Sequence, residues 1–524
     1  MPCSVVSRLC LTIIREHFGP VVEKVAAALL TRGRLTLANL VQISKQSAKN
    51  VRESLFILIQ HNIVMFTEQA EGLRIMVFYS IDELQIMFRD RYSLYVSKIA
   101  EEYGHQGRDL ALCIIKQGKS NYPTILKDLD ARDEATQNEI RYVLTRLIAD
   151  RFLVAVEVSD AKSIIDKNIE REKAAIAEMG GAPLTSSELK KLRKKLFETP
   201  SYDATVSTGS KRKVLDFDEV SRKKVAMEDS KIEYSDDQFW KINVEYCNIH
   251  CRTDIIAKLA TMRISSGAGH LIRVILRKLQ DKMKTCRGEK TSEDISQLWI
   301  SQALRDDSML KIEGEDSDNR LASYLDVLAE DPAGFLTKID ERGGGTYVVA
   351  LERLKGYLQT LAIESMIYER YGSVFCRIWR LLKIEGYLDE KQVSRLAMIP
   401  IKTARECLNE LMAGGFVFIQ DVPKTTDHAP SRTFYLFGVS VDQCVERMLQ
   451  QSYRMLNNVK LRRKKELEDR QVLLEKIERT DVAQNLDLLS DSDKAQWGLL
   501  KKTVGLLKAT ELRLDELIMT LRDI

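Results

Sequence analysis

The chain has no cysteine pair at CxxC spacing, no glycine-rich phosphate loop, no long apolar run and almost no excess charge. Each absence removes a class of protein. The nine cysteines (Cys3, Cys10, Cys113, Cys247, Cys251, Cys286, Cys376, Cys407, Cys444) are scattered, whereas a disulfide scaffold needs regular spacing and a secreted context. No basic segment followed by an apolar run and a small-residue cleavage site opens the chain, so no signal peptide is expected. No uninterrupted apolar stretch approaches the roughly 20 residues that a membrane helix needs. The formal net charge is +4 on 80 basic and 76 acidic residues. Any contact with nucleic acid must therefore come from local patches. These observations describe a cytosolic or nuclear protein with reduced thiols and no membrane partner.

Catalytic groups are missing as well. The six histidines (His17, His61, His105, His250, His270, His428) sit in unrelated contexts. The run Cys247-Asn248-Ile249-His250-Cys251 has metal-ligand chemistry, but a zinc site needs about four ligands and no second pair stands nearby in sequence. It reads better as a strand end entering a helix. Gly267-Ala268-Gly269 lies between helical patterns and lacks the lysine of a phosphate loop. No enzyme, cofactor or metal is expected.

What the chain does have is a repeat. Its 524 residues are too many for one core and suggest three to five units. Four times a helical pattern ends in a leucine and breaks into paired β-rich runs. The leucines opening these junctions, Leu58, Leu147, Leu328 and Leu411, lie 89, 181 and 83 residues apart, so the middle interval holds an insertion. The paired runs are Ile63 to Phe66 with Leu73 to Tyr79, and Phe152 to Val156 with Trp240 to Tyr246. They recur as Phe335 to Ile339 with Thr346 to Val349 around Gly343-Gly344-Gly345, and as Phe416 to Gln420 with Thr433 to Phe437.

In the first unit Pro20 to Arg32 carries apolar residues at helical spacing and stops at Gly33, and Thr36 to Ile43 makes a short second helix. Ser47 is the expected N-cap of a third helix with Val51, Leu55, Leu58 and Ile59 on its apolar face. Three helices and a two-stranded wing make a winged helix-turn-helix, which presents its third helix to a partner. A generic α+β helical repeat gives the same periodicity, and winged helices also bind protein. The expected fold is mainly α with small β-hairpins (α+β): four tandem extended winged helices followed by a C-terminal antiparallel coiled coil. The expected limits are 1–80, 81–247 with an insertion at 159–238, 248–351, 352–438 and 439–524.

The insertion should hold helices near Ser163 to Met179 and Ser186 to Phe197, then a disordered polar stretch. Lys211-Arg212-Lys213 and Arg222-Lys223-Lys224 fit a bipartite nuclear-import signal, although 16 basic and 16 acidic residues balance over the insertion and suit a solvated segment equally. In the tail, Leu500, Val504, Leu507, Glu511, Leu514, Ile518 and Leu521 keep a four-three spacing with one polar break at Glu511. An earlier seam of Val441, Val445, Met448, Ser452, Met455 and Val459 ends at the basic run Arg462-Arg463-Lys464-Lys465. A chain turn near Leu486 to Ser492 allows a hairpin; a homodimeric coiled coil is the rival.

The units differ in charge. Residues 1–79 carry nine basic and five acidic side chains, whereas residues 306–331 carry two and nine. The first unit is therefore the best candidate for phosphate contact, with Lys45, Lys49 and Arg52 around the third helix and Arg74 on the wing. Arg141 and Arg146 make the second unit, with Lys127 and Arg132, an intermediate case, as Lys402 and Arg405 make the fourth. So few cations position a protein on DNA without choosing a sequence.

The fourth unit carries the most specific text: Ala397-Met398-Ile399-Pro400 through Lys402, Ala404 and Leu408 to Leu411, then Val422-Pro423-Lys424-Thr425-Thr426-Asp427-His428-Ala429-Pro430-Ser431-Arg432-Thr433. This resembles the signature of the winged-helix, coiled-coil subunit family of DNA-directed RNA polymerase III. Glu16-His17-Phe18-Gly19 and Gly343-Gly344-Gly345-Thr346-Tyr347-Val348 are also similar to that family. The resemblance implies a nuclear, non-catalytic subunit acting in initiation and promoter opening with two other polymerase III subunits. It implies partners in the clamp of the largest subunit, in the TATA-factor-containing initiation complex and, weakly and non-specifically, in single- or double-stranded DNA. Lys424, Asp427, His428 and Arg432 of the fourth wing, with Arg462 and Arg463 of the basic run, are the candidate partner contacts. A scaffold subunit of a non-transcriptional complex is the alternative.

Overall fold

The computed structural model describes residues 4–71, 74–162, 164–178, 187, 189–193, 235–283, 285–305, 317–341, 344–424, 433–480, 482 and 489–524. Its chain divides into two compact units, one of Met1–Thr253 with Arg277–Gly288 and one of Asp254–Leu276 with Glu289–Ile524. The helix Val244–Arg263 runs through the expected limit at 247/248. The fold is α+β and mainly helical, with short antiparallel strands.

Backbone turns repeat more regularly than the leucines do. Gly19 (φ 86°), Gly104 (67°) and Gly372 (102°) precede the first helix of three units, and Gly33 (77°), Gly118 (80°) and Gly386 (84°) end it. Lys45 (53°), Asp130 (51°) and Met398 (53°) follow the second helix. The intervals between these marks are 14 and 12 residues in all three units. A further left-handed residue follows each third helix: Asn62, Arg151, Gly334 and Gly415. The residue after it is a buried anchor, namely Ile63, Phe152, Phe335 or Phe416.

This is the Schellman helix ending, in which a left-handed residue lets the next N–H reach back five residues. The Ile63 N–H donates to the Leu58 carbonyl at 2.9 Å, and the Phe416 N–H to that of Leu411 at 2.9 Å. Leu58 and Leu411, two of the four leucines that mark the sequence junctions, are thus the helix-side halves of these endings. Ala131 to Leu126 and Ile399 to Ser394, both at 3.1 Å, close the second helix of two units in the same way.

The first unit runs through helices Val5–Phe18, Pro20–Arg32, Leu37–Ser44 and Ala48–Gln60. Pro20 fits the first helical turn because its missing N–H would have no partner there. Ser47 caps the third helix by accepting the Asn50 N–H at 3.2 Å, as the sequence predicts. Leu9, Ile13, Val25, Leu29, Leu55 and Leu58 fill the core.

The wings hold one more element than the expected pair. Val64–Glu71 and Arg74–Ile81 form the first hairpin, and the two-residue strand Leu35–Thr36 adds to its Arg74–Ile81 edge. The third wing is likewise three-stranded, with Ile295–Ser296 beside Thr346–Val348 and Thr337–Asp340. In the second and fourth, single bridges Ser120–Trp240 and Leu388–Phe437 take that place beside the pairs Leu153–Ala155 with Trp240–Ile242 and Phe418–Pro423 with Thr433–Gly438. These edge residues are too short to show a period-two pattern, which is why the sequence does not reveal them. The second return strand also stops at Ile242, because Val244 already starts a helix.

Of the insertion, Ile164–Glu178 is helical and Arg193 pairs with Glu172 at 2.9 Å. Of the expected second helix near Ser186 to Phe197, the described residues, 187 and 189–193, are helical, and the basic clusters of 211–224 lie wholly outside the described residues.

The tail is an antiparallel hairpin of Val441–Glu468 and Asp491–Ile518, with a short helix Gln471–Ile477 between them. Tyr453–Arg522, Arg463–Glu511 and Lys476–Asp493 set its register. The polar break at Glu511 has a physical reason: Arg463 crosses the seam and holds both carboxylate oxygens, at 2.7 and 3.2 Å. The two side chains are only 12% and 15% exposed. On the first helix the buried positions drift from the expected Met455 and Val459 to Leu456 and Lys460, as a straight helix does against a seven-residue repeat. Leu521 then enters the core of the fourth unit among Ile363, Trp379 and Leu411.

The Arg463–Glu511 bridge makes a test. Glu511→Leu alone should cost about 3 kcal/mol by stranding a buried guanidinium, while Arg463→Leu with Glu511→Leu should restore most of it. Thermal melts of the three proteins check the order.

Candidate nucleic-acid and partner surfaces

The third helix of the first unit turns Val51, Ser54, Leu55 and Leu58 inward, which leaves Lys49 and Arg52 outward. The Lys49 side chain is 84% exposed, and its ion pair with Glu53 at 3.9 Å is too long and too wet to hold it. Lys45 occupies the exposed left-handed turn just before. Arg74 opens the return strand of the wing, opposite Glu71. Sequence reasoning missed Phe56, which lies one turn beyond Arg52 on the same outward side and is 69% exposed. An exposed aromatic beside cations offers a stacking platform as well as charge. Its signal was present, since Phe56 falls outside the apolar stripe of its own helix.

In the second unit the candidates are already engaged. Arg141 reaches Asp236 at 2.5 Å and lies 4.9 Å from the Tyr122 ring centre. Arg146 stands between the rings of Tyr103 and Tyr142, at 5.6 and 5.9 Å. In the fourth unit Arg405 grips Glu390 through both oxygens, at 2.6 and 2.8 Å, which leaves Lys402 as an exposed cation. Lys424 sits 4.4 Å over the Phe434 ring, while Asp427, His428 and Arg432 lie outside the described residues. Arg462 pairs along its helix with Glu466 at 2.5 Å and stays exposed. Arg463 is a correction to the expected surface: it points into the hairpin seam, where Glu511 consumes its charge.

The first two modules are clamped together. Lys119 Nζ donates to the Ile59 carbonyl at 3.2 Å, and Gln60 Nε2 donates to the Lys119 carbonyl at 2.9 Å. Gly118 packs so closely that a Cβ would stand 2.6 Å from His61 Nδ1 and 2.7 Å from the Gln60 carbonyl oxygen. The His61 ring packs tilted against Phe18 at 4.9 Å, and the Arg89 guanidinium covers Phe18 at 4.6 Å. Arg89 also reaches His61 Nδ1 at 3.2 Å. Burial first, then the nearby Arg89 charge, push the His61 imidazole down from 6.5 to about 4.

Cys247 and Cys251 lie one turn apart inside the helix Val244–Arg263. Burial pushes the Cys247 thiol well above its usual value, the opposite of what a metal ligand needs. His250 packs 5.0 Å from Phe152 and 4.8 Å from Tyr246, and Asn248 accepts the Tyr95 hydroxyl at 2.6 Å. The motif is core. Among the described residues no group of three His, Cys, Asp or Glu side chains gathers as a metal site, and no helix is long and apolar enough to cross a membrane.

Family models fall on the same modules in the same order. The RNA polymerase III subunit RPC82 helix-turn-helix domain matches residues 8–69, the RNA polymerase III subunit RPC82 model matches 142–358, and the C-terminal winged-helix domain of POLR3C matches 363–439. Proteins named DNA-directed RNA polymerase III subunit RPC3 are 28% identical in Rattus norvegicus and 26% identical in Homo sapiens, each covering 98% of this chain and 97% of the relative. The chain belongs to the RPC3/RPC82 family of RNA polymerase III subunits. An RPC3 from Aspergillus clavatus is 35% identical over 38% of this chain and 32% of its own length. In this RPC3/RPC82 chain, Phe18 of the family-like segment Glu16-His17-Phe18-Gly19 is the ring that packs against His61 and Arg89.

Acid should weaken this clamp. His61 is neutral in the fold, whereas the unfolded chain takes up a proton below 6.5, so its stabilisation is present above 6.5 and is lost as pH falls towards 4. The loss should be roughly 2 kcal/mol for a site that is not fully buried. Melting curves from pH 7 to pH 4.5 should show a smaller acid-induced drop for His61→Gln than for the unmodified chain.

Proposed function

We propose that this chain is a non-catalytic subunit of DNA-directed RNA polymerase III. It works in the nucleus with two other polymerase subunits at initiation and promoter opening on transfer RNA, 5S ribosomal RNA and other small RNA genes. The observation that carries this reading is the run of three polymerase III family matches in chain order, with RPC3-named relatives over nearly the full length. On this reading the five-part division is four winged-helix modules and a hairpin. The clamp of the largest subunit and the TATA-factor-containing initiation complex are the protein partners. Affinity purification of the tagged chain should bring down the other polymerase III subunits in stoichiometric amounts. Their absence would leave the scaffold of a non-transcriptional complex as the better account.

DNA contact belongs to the first module, because Lys45, Lys49 and Arg52 are exposed there without strong intramolecular partners among the contacts described above. Cations at this density bind phosphate without base readout, so affinity should fall steeply with salt and be nearly indifferent to sequence. Replacing Lys45, Lys49 and Arg52 together by glutamate should lower the log–log salt slope by up to about 3 for duplex DNA. Anisotropy titrations of the full chain at several salt concentrations measure it. Equal slopes in the two proteins would move the contact elsewhere.

A further inference from the structure

The helix Leu351–Tyr371 carries a glycine that the fold itself does not need. Gly356 sits in the interior of this 21-residue helix. Its backbone is ordinary helix, and a Cβ built on it meets no atom within 4 Å. A glycine there costs helix stability, and neither a left-handed turn nor internal crowding requires it. The space it leaves opens outward, into a cavity of about 390 Å³ lined also by Arg353, Tyr357, Thr360 and Lys383. A second cavity of about 300 Å³ continues along the same helix past Tyr368, Arg377 and Arg380, and the two share Leu361 and Glu364.

The shared residues make one trough. Gly356, Thr360, Glu364 and Tyr368 recur every fourth residue along its floor, a single stripe of one helix. Four cations line it, Arg353, Arg377, Arg380 and Lys383, against two carboxylates, Glu364 and Glu369. Arg380 already satisfies Glu364 at 2.7 Å, and Lys383 is tethered at 2.8 Å to the Thr360 hydroxyl, beside the glycine. Leu361 and Tyr368 add exposed apolar surface. The trough therefore favours an anion with apolar side chains that lies close to the helix backbone at Gly356.

We propose that this trough is the docking site for an extended acidic segment of a partner chain, which sets its backbone against Gly356 and its carboxylates against Arg353 and Lys383. A nucleic-acid strand fits less well. Its phosphates recur without interruption and would meet Glu364 and Glu369, and it has no use for the aliphatic Leu361. This proposal does not depend on which assembly the chain joins.

The test uses the full chain and a fluorescein-labelled peptide of twelve residues, nine Asp or Glu with two Leu and one Phe. Fluorescence anisotropy should show saturable binding at low salt. Gly356→Leu should weaken it at least tenfold while leaving the melting temperature equal or higher, since the helix gains a better former and nothing is crowded. Lys383→Glu should weaken it similarly. The proposal is overturned if the peptide shows no saturable binding to the unmodified chain, or if Gly356→Leu binds as well as the unmodified chain. It also fails if single-stranded DNA of twelve nucleotides displaces the peptide at equal or lower concentration.

Discussion

The helix ending that precedes each wing is the constraint on which the repeat rests. A left-handed residue turns the chain back after the third helix and a buried anchor follows it in all four modules; in the first and fourth, the anchor N–H reaches the carbonyl of the leucine five positions earlier. Leu58 with Ile63 and Leu411 with Phe416 are such pairs, both members almost fully buried. The anchor fixes where the wing starts, the wing fixes its return strand, and the return strand accepts the short edge residues ahead of the second helix. At Asn62 and Arg151 the turn is made without glycine, so tertiary burial must offset a strained backbone of roughly 1 kcal/mol each.

The same economy shapes the surfaces. A cation serves a partner only if its own chain does not already hold it, and sequence proximity does not decide this. Arg405 and Arg463 are bound by carboxylates 15 and 48 positions away, while Lys49 has a carboxylate four positions off and remains essentially unheld. The modules thus differ in the charge left over as well as in charge itself. The first exposes Lys45, Lys49 and Arg52, the second hands Arg141 to Asp236, and the hairpin spends Arg463 to close its seam.

Much of the architecture was legible because leucine spacing and apolar periodicity report burial, and burial is what repeats. The third helix of the first unit, its Ser47 cap and the hairpin with its break at Glu511 could all be read from local pattern. The partner of that break could not. Glu511 and the basic run each made sense alone, and only the antiparallel register brings Arg463 across. The edge strands were too short for any period to register. Turns at Lys45, Asp130 and Met398 carry no glycine to announce them, although their constant distance from the preceding glycines was there to be seen. The cations of the first module were legible as a candidate surface, and so was Phe56, which falls outside the apolar stripe of its helix; the engagement of Arg141 and Arg146 was not, because Asp236, Tyr122 and Tyr103 lie far from them in sequence.

Leu521 in the core of the fourth module has a consequence for synthesis on the ribosome. That core also contains Ile363, Trp379 and Leu411, and Gln359 Nε2 donates to the Leu521 carbonyl at 3.0 Å. Translation proceeds at about 5–20 residues per second, so the strands of this wing emerge several seconds before the residue that completes their module. During that interval the nascent module has a gap in its apolar packing. The return helix of the hairpin therefore completes the fourth module from outside it, so the module and the hairpin finish folding together rather than in chain order.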